Sequence, residues 1–328
     1  MGSRRLSHDV LIIGCGNIAG GFDERRPADA LPYTHAGAYT RDGRFRIAAC
    51  VDPDEDRRTA FAAHWRVPVA VASIVALGAA RFDVVSIASP TAFHADHLAA
   101  ALAFKPKLIF CDKPVTPRAD DTRRWVEAAE AAGVLLAVNH TRRWAPDLIA
   151  LAAELRAGTH GAVRSATGWY GKGVLNNGAH MIDLLHMLLG PVDVRAAGAA
   201  VADFWPDDPT IPALLDAGGV PVQLATGDAR DYARFELEIM TEAGVVTMED
   251  GGQAWRIRRA ESSGAFAGYR ALDAGERSAG RYDAAMLAAV ANIHDALTNG
   301  APLASDGTSA LAAQIVCERI RSLSEGCP

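Results

Sequence analysis

The run DVLIIGCGNIA, from Asp9 to Ala19, limits the possible folds more than any other part of the chain. Val10 to Ile13 read as a buried strand, and the small residues Gly14, Gly16 and Ala19 follow it at GxGxxA spacing. In a strand-to-helix turn each has a job. Gly14 permits the tight turn, Gly16 lets backbone approach a pyrophosphate, and Ala19 lets the next helix pack closely. Asn17 and Ile18 lie inside the same turn and are counted with the cofactor-binding residues. Gly-rich turns after strands are common, so the weight comes from position: this one follows the first strand of an alternating series.

That series runs from Asp9 to about His140. DVLIIG, FRIAACVD, VPVAVAS, FDVVSIASP, PKLIFCDKP and GVLLAVNH are strand candidates, and AFHADHLAAALAF and ADDTRRWVEAAEAAG carry apolar residues at helical spacing. Continuous apolar strands separated by helices imply a parallel sheet covered on both faces, a doubly wound α/β domain. Asp52 ends the second strand, where a carboxylate would accept hydrogen bonds from an adenosine ribose. It lies beyond the usual spacing of roughly 20 residues, because the segment around 20–34 contains Pro27 and Pro32 and makes the helix after the fingerprint short or interrupted. Asp54, Glu55 and Asp56 would repel a 2′-phosphate, with Arg57 and Arg58 a partial offset, so NAD is expected in preference to NADP.

The chain has 328 residues, half of them hydrophobic, which suits two domains at roughly 100–200 residues each. Its formal net charge of −6 and its scattered basic pairs argue against a nucleic-acid surface and for a small-molecule partner. Cysteines at 15, 50, 111, 317 and 327 show neither metal spacing nor a paired framework, which suits a reducing compartment, and the cytoplasm is expected. SRRLSHDVLII has a twin-arginine look, but Gly14 cuts its apolar core short and VLII reads as a strand. No apolar run approaches the roughly 20 residues that span a bilayer, so no membrane partner is expected.

After His140 the pattern changes. The helix candidate PDLIALAAELRAG is followed by VRSATGWY, the polar cluster GKGVLNNGAH and the helix HMIDLLHMLLG. Strand-like runs then succeed one another (VDVRAAGAAVADF, VPVQLATG, ARFELEIMTEAG, GVVTMEDG, AWRIRRAE), with GG, AG and DGG turn signals among them. This predicts an α+β half with a largely antiparallel open sheet. SSGAFAGYRALDAGERSAG reads as a mobile loop, and two helices close the chain. The domains are placed at 1–140 and 141–328.

Several ordered motifs give the sequence a family likeness. Ser89, Pro90, Thr91 and His94 follow the fourth strand; Asp112, Lys113 and Pro114 follow the fifth; Asn139 with Arg142 or Arg143 ends the first domain; Asn176, His180 and Asp183 stand in the second. Over nearly its whole length the sequence resembles the Gfo/Idh/MocA family of oxidoreductases, which includes glucose-fructose oxidoreductase and inositol 2-dehydrogenase. The matched motifs are a Thr/Ser-Pro turn with a following His, E-K-P, N-x-x-R and D-x-x-x-H-x-x-D. Two positions depart from these patterns: Asp112 keeps the carboxylate of E-K-P, whereas Asn176 replaces an Asp with an amide that cannot take a proton.

The resemblance implies an NAD-dependent enzyme moving a hydride between nicotinamide and a secondary alcohol or ketone of a polyol, sugar, cyclitol or nucleotide-linked sugar. A base must then lie within hydrogen-bond reach of the hydroxyl. His180 is implied as that base and Lys113 as the group that holds the oxygen and offsets developing charge, with Asn176 beside them. Lys113, Arg143, Trp169, Lys172, Asn176, Asn177 and His180 are the expected substrate contacts; the dispersed tryptophans read as structural, although Trp144 and Trp169 flank the expected site and could stack on a sugar ring. Gly14, Gly16, Asn17, Ile18, Ala19, Asp52, Ser89, Pro90, Thr91, His94, Asp112 and Lys113 are the expected cofactor contacts, His94 near the phosphates or ribose. Bland readings stand beside these: a helix-start His for His180 and a solvated loop Lys for Lys113. No metal-ligand spacing is present and no catalytic metal is expected. The resemblance also implies a homodimer or homotetramer. Two rival functions remain, a glycosidase that uses bound NAD transiently and a dinucleotide-binding regulator without catalysis.

Overall fold

A computed structural model describes residues 7–27 and 29–326; Arg4, Arg5 and Cys327 lie outside the described residues. Contacts divide the chain into two compact units, Met1–Trp144 with Asp283–Leu311, and Ala145–Tyr282 with Ala312–Pro328.

The first unit alternates strands and helices: β1 (His8–Ile13), α1 (His35–Asp42), β2 (Phe45–Val51), α2 (Glu55–Trp65), β3 (Val69–Val71), β4 (Val84–Ile87), α3 (His94–Ala103), β5 (Leu108–Cys111), α4 (Ala119–Ala131) and β6 (Leu135–Val138). Among the described residues they make a six-stranded parallel sheet in the order β3-β2-β1-β4-β5-β6. Successive side chains of β1 enter opposite cores, Val10 and Ile12 one cluster and Leu11 and Ile13 the other, which is why the strand carries no polar alternation. Two helix starts are fixed by their own side chains: Thr34 accepts from the Gly37 amide at the head of α1, and Asp54 from the Arg57 amide at the head of α2.

The second unit begins with α5 (Pro146–Arg156) and β7 (Val163–Tyr170). One π-helical turn at Gly173–Gly178 leads into α6 (Ala179–Leu189), followed by β8 (Val192–Ala197), β9 (Val201–Trp205), β10 (Asp208–Thr210), β11 (Ala213–Ala217), β12 (Val220–Thr226), β13 (Glu236–Thr241), β14 (Gly244–Glu249), β15 (Ala254–Ser262), β16 (Arg270–Leu272) and β17 (Glu276–Ala279). Among the described residues nine strands form one sheet, in the order β16-β15-β14-β13-β7-β12-β11-β8 with β17 also on β15. Only β7 and β12 pair in parallel; the other neighbours are antiparallel. One face carries the row Ala213, Leu224, Gly168, Leu237 and Met248, all in register, with Met181 of α6 against Gly168. The other face carries Leu214, Gln223, Thr167, Glu238 and Thr247 and is more polar. This is the alternation an antiparallel sheet shows when one face is packed.

Two expectations change here. The stretch read as a mobile loop contains β16 and β17, both paired with β15, because long-range pairing supplies order that its Gly- and Ser-rich composition does not suggest. VDVRAAGAAVADF makes two strands in different sheets, β9 joining β10 in a separate hairpin.

Two helices close the chain, α7 (Ala285–Asn299) and α8 (Gly307–Ser324). Met286, Ala289, Val290 and Ile293 of α7 join the first unit's cluster around Val10, Ile12 and Trp144. No helix among the described residues is long and apolar enough to cross a membrane.

Candidate active site

At the carboxyl end of β1 the chain turns through Gly14, whose φ of 90° favours glycine and where a Cβ would lie 2.6 Å from the Ser89 amide nitrogen. Gly16 has open space where its Cβ would be, the room a pyrophosphate needs to approach backbone. Ala19 is fully buried, and Ile18 packs against the core cluster while Asn17 faces outward. The expected interruption of the following helix is present. After a short turn at Gly21–Asp23 the chain makes an excursion before α1, and the Asp23 carboxylate pins it by accepting from the Tyr33 and Thr34 amides and the Thr34 hydroxyl.

A cavity of about 350 Å³ opens beside this turn, lined by Gly14, Asp52, Arg57, Ser89, Pro90 and His97 among others. It sits where β1, β2 and β4 end, at the point where strand order reverses, which is where open α/β sheets bind ligands. Asp52 is 4 % exposed and accepts from the Cys15 amide at 2.9 Å and the Asp54 amide at 3.0 Å, so it ties the fingerprint turn to the end of β2. Arg57 reaches Asp52 at 3.7 Å and Asp54 at 3.5 Å, leaving its charge flanked by two carboxylates.

His94, expected at the phosphates or ribose, is turned inward instead. Its ring is buried, with Nε2 2.8 Å from the Ser89 carbonyl and Nδ1 2.9 Å from the Pro114 carbonyl. It thereby joins the loop after β4, which carries Ser89, Pro90 and Thr91, to the loop after β5, which carries Asp112 and Lys113. His97 holds the Ser89 hydroxyl at 2.8 Å.

Lys113 and Asp112 stand half-buried at the carboxyl end of β5. Burial raises the Asp112 pKa, opposed by the charges of Lys113 and His94 and by hydrogen bonds from the Lys113 backbone and the Asn139 side chain. The Asn139 amide donates to Asp112 at 3.2 Å and lies 3.5 Å from Nε2 of His35. His35 continues to Ser86 at 3.3 Å, and Ser86 to Tyr39 at 2.8 Å. Burial pushes His35 down to about 3, so this chain of contacts is held by a neutral imidazole. His140 is likewise lowered to about 3, by burial and then by the cations Lys113, Arg143 and Arg142. Arg143, expected at the substrate, places Nη1 3.4 Å from the Ala304 carbonyl. Trp144 is not available to stack on a sugar. It is a core residue, 2 % exposed, donating to Asn292 at 2.9 Å.

In the second unit the polar cluster forms the π turn. Lys172 enters it with φ 63°, its ammonium 4.9 Å from the Phe204 ring. The β9–β10 hairpin satisfies the turn's free amides: Asp203 accepts from Lys172 at 2.7 Å, Thr210 from Gly173 at 2.9 Å, and Asp208 from Leu175 at 2.9 Å and Asn176 at 2.8 Å. Asn176 donates its side-chain amide to the Lys172 carbonyl at 3.1 Å, a job that a carboxylate could not do. Asn177 and His180 are half-buried, His180 in the first turn of α6. Asn176, Asn177 and His180 thus come together on one short segment. Trp169 points away from the side of β7 on which Ala166, Gly168 and Tyr170 are buried and lies under the Arg234 guanidinium at 4.5 Å, and Arg234 lines one cavity with Asn177. Asp203, Asp208 and Thr210 were not singled out by sequence. They lie in strands of five and three residues with no motif spacing, and only the fold brings them to the turn.

A family model described as an oxidoreductase family with an NAD-binding Rossmann fold, GFO_IDH_MocA, matches residues 8–140. Inositol 2-dehydrogenase of Acidothermus cellulolyticus is 30 % identical over 259 residues, 73 % of this chain and 74 % of that protein. D-xylose 1-dehydrogenase (NADP(+)) 2 of Haloferax volcanii is 40 % identical over 121 residues, and the chain spans only 37 % of that relative's length. Among solved structures, the WlbA dehydrogenase of Bordetella pertussis, in complex with NADH and UDP-GlcNAcA, superposes with a TM-score of 0.77 at 18 % identity, covering 98 % of this chain and 97 % of that one. At that identity the likeness speaks for the fold.

Proposed function

Because the chain belongs to the Gfo/Idh/MocA family of NAD-binding oxidoreductases, we propose that it moves a hydride between a nicotinamide dinucleotide and a secondary alcohol or ketone of a sugar, cyclitol or related polyol. The observation that carries this reading is the cavity at the sheet's switch point, with Asp52 and the Gly14–Gly16 turn at one side and Lys113 at the end of β5 in the same unit. The residues fit a dinucleotide: Gly16 leaves space for phosphates and Asp52 stands at the end of β2 for the ribose. Bound there, the dinucleotide supplies the hydride acceptor.

The chain's own residues handle the proton. Lys113 holds the reacting oxygen and offsets its negative charge, and His180 takes the hydroxyl proton during oxidation. Asn176 takes no proton; its amide keeps the π turn closed. NAD is preferred to NADP, since Arg57 is already flanked by Asp52 and Asp54. The protein works as a homodimer or homotetramer, a reading supported by the family alone, and in the cytoplasm, a reading supported by cysteines that show no paired framework.

The test is NADH formation with a panel of sugars, inositols and nucleotide sugars, each run with NAD and NADP and with product identification. Net NADH and a ketone product are expected, with the higher kcat/KM for NAD. Cleavage of a leaving group without net NADH would replace this reading with the glycosidase. Lys113→Ala is expected to lower kcat by about 10² to 10⁴ while dinucleotide affinity stays within a few-fold, because Lys113 serves the reacting oxygen. Near-normal turnover in that variant would remove Lys113 from the chemistry.

A further inference from the structure

A second cavity, of about 460 Å³, lies wholly within the first unit and shares no lining residue with the one beside Asp52. Three segments enclose it: the excursion before α1, α1 itself at Gly37, Thr40 and Arg41, and the end of α2 at His64 and Trp65. Its size falls among sites that take small organic molecules, roughly 300–1,000 Å³.

The excursion is rooted at both ends in the dinucleotide turn. Where it leaves, the amides of Gly20 and Gly21 donate to the Gly16 carbonyl at 3.1 and 3.2 Å. Where it returns, the amides of His35 and Ala36 donate to the carbonyls of Ile18 and Ala19 at 3.2 and 2.8 Å, so the chain rejoins the turn it left. Trp65 braces the departure point, packed so closely on Gly20 that a Cβ there would not fit. A molecule held between the excursion and α2 therefore bears on the turn that carries Gly14 and Gly16.

The lining balances in charge but not in hydrogen-bonding capacity. Two guanidiniums, Arg26 and Arg41, stand with two carboxylates, Asp23 and Glu24. Asp23 is saturated: it accepts from the Tyr33 and Thr34 amides and the Thr34 hydroxyl, and Nε of Arg26 lies 3.5 Å away. Arg26 is used only in part. Its Nη2 donates to the Leu31 carbonyl at 3.2 Å and its plane rests on Tyr33, while Nη1 donates to no described residue. The Thr40 hydroxyl and the His64 ring nitrogens likewise make no hydrogen bond among the described residues, and Thr40 and His64 are both exposed.

Unused donors therefore remain on Arg26, Thr40 and His64, whereas the one unsaturated carboxylate is the exposed Glu24. A carboxylate needs donors only, and a guanidinium presents them as a fork. An ammonium would meet two guanidiniums and find one carboxylate on the rim. Trp65, Pro27, Ala30 and Pro32 supply an apolar wall that suits a ring-sized body.

We propose that this cavity is an effector site for an organic carboxylate with an apolar, ring-sized body. The head lies among Arg26, Thr40, Arg41 and His64, and the body against Trp65, Pro27 and Pro32. Filling the cavity braces the excursion against α2 and raises dinucleotide affinity, because the roots of the excursion are then already ordered when the dinucleotide binds.

Calorimetry on the full chain reads both bindings without turnover. Naphthoate is the probe, with naphthylmethylamine and naphthylmethanol as controls of the same body. Naphthoate is expected to bind, and the amine and the alcohol to bind about tenfold more weakly or less. With naphthoate saturating, NAD affinity is expected to rise about fivefold or more, and naphthoate affinity to rise by the same factor when NAD is bound. His64→Ala removes a donor at an exposed position and Ala30→Phe fills the apolar end; each is expected to weaken naphthoate by about fivefold. NAD binding by each variant shows that its fold is intact. Absence of naphthoate binding overturns the site, and so does equal binding of the amine or the alcohol, or naphthoate binding unaffected in both variants. NAD affinity that stays the same, or falls because naphthoate occupies the dinucleotide cavity, overturns the effector role.

Discussion

At the residue scale, charge states follow from burial. His35 is fully enclosed among Tyr39, Ser86, Phe110 and Asn139, and its folded-state pKa falls from 6.5 to about 3. The unfolded chain takes a proton below about 6.5 and the folded chain does not until about 3, so the stability held above 6.5 is lost progressively as pH falls through that window. Each such histidine costs about 2 kcal/mol by pH 5, and His140 adds to the same trend. Reversible urea unfolding of the parent and of His35→Gln at pH 7 and pH 5 is expected to show the parent losing about 2 kcal/mol more than the variant on acidification. Equal losses would mean that His35 is protonated in the folded state. The sequence marked Lys113 and His180 through motifs, which are legible without knowledge of the fold, and Asp52 through its place at the end of the second strand rather than through spacing. It left His35, Ser86 and Asn139 unconnected as a buried network, since their contact depends on three elements meeting. His94 shows the reverse case: a motif residue whose ring serves two carbonyls and joins two loops.

At the element scale, the π turn and the β9–β10 hairpin form one device. The turn leaves amides that a regular helix start would also leave, and Asp203, Thr210 and Asp208 accept them. An amide left without its acceptor costs about 1–3 kcal/mol, and Asp208→Ala strands two at once, Leu175 and Asn176. Hydrogen exchange at these two amides is expected to accelerate at least tenfold in Asp208→Ala, and less in Asp208→Asn, which keeps one oxygen. Because Asn176, Asn177 and His180 ride on this segment, kcat/KM should fall in step with the exchange. Unchanged exchange in Asp208→Ala would show that the hairpin does not hold the turn. The strands of the first sheet were legible because each is a continuous apolar run between helices. The hairpin was not, because β10 has three residues, one of them Pro209, and among the described residues it pairs only with its neighbour. β16 and β17 were hidden for a related reason: their order comes from β15, far enough away that local composition reads as loop.

At the scale of the whole molecule, the second unit's sheet has one face packed by apolar side chains and another on which Leu214 and Met240 are 54 % and 47 % exposed. Sedimentation is expected to give twice or four times the mass of the chain, and Leu214→Glu with Met240→Glu to shift it toward the monomer. A monomer at micromolar concentration would contradict the oligomer proposed from the family. The change from the parallel sheet to the largely antiparallel one was visible in the change from alternating to successive strands near His140. The grouping of α7 with the first unit was not, since an amphipathic helix shows which face it buries but not against what. The central claim is direct hydride transfer to a nicotinamide dinucleotide, and isotope transfer tests it most closely. With the substrate identified from the panel and deuterated at the reacting carbinol carbon, the account predicts NADH carrying deuterium at C4 of the nicotinamide, formed in amounts equal to the ketone product and lost together with it in Lys113→Ala. Product formed with no deuterium in the dinucleotide would contradict it.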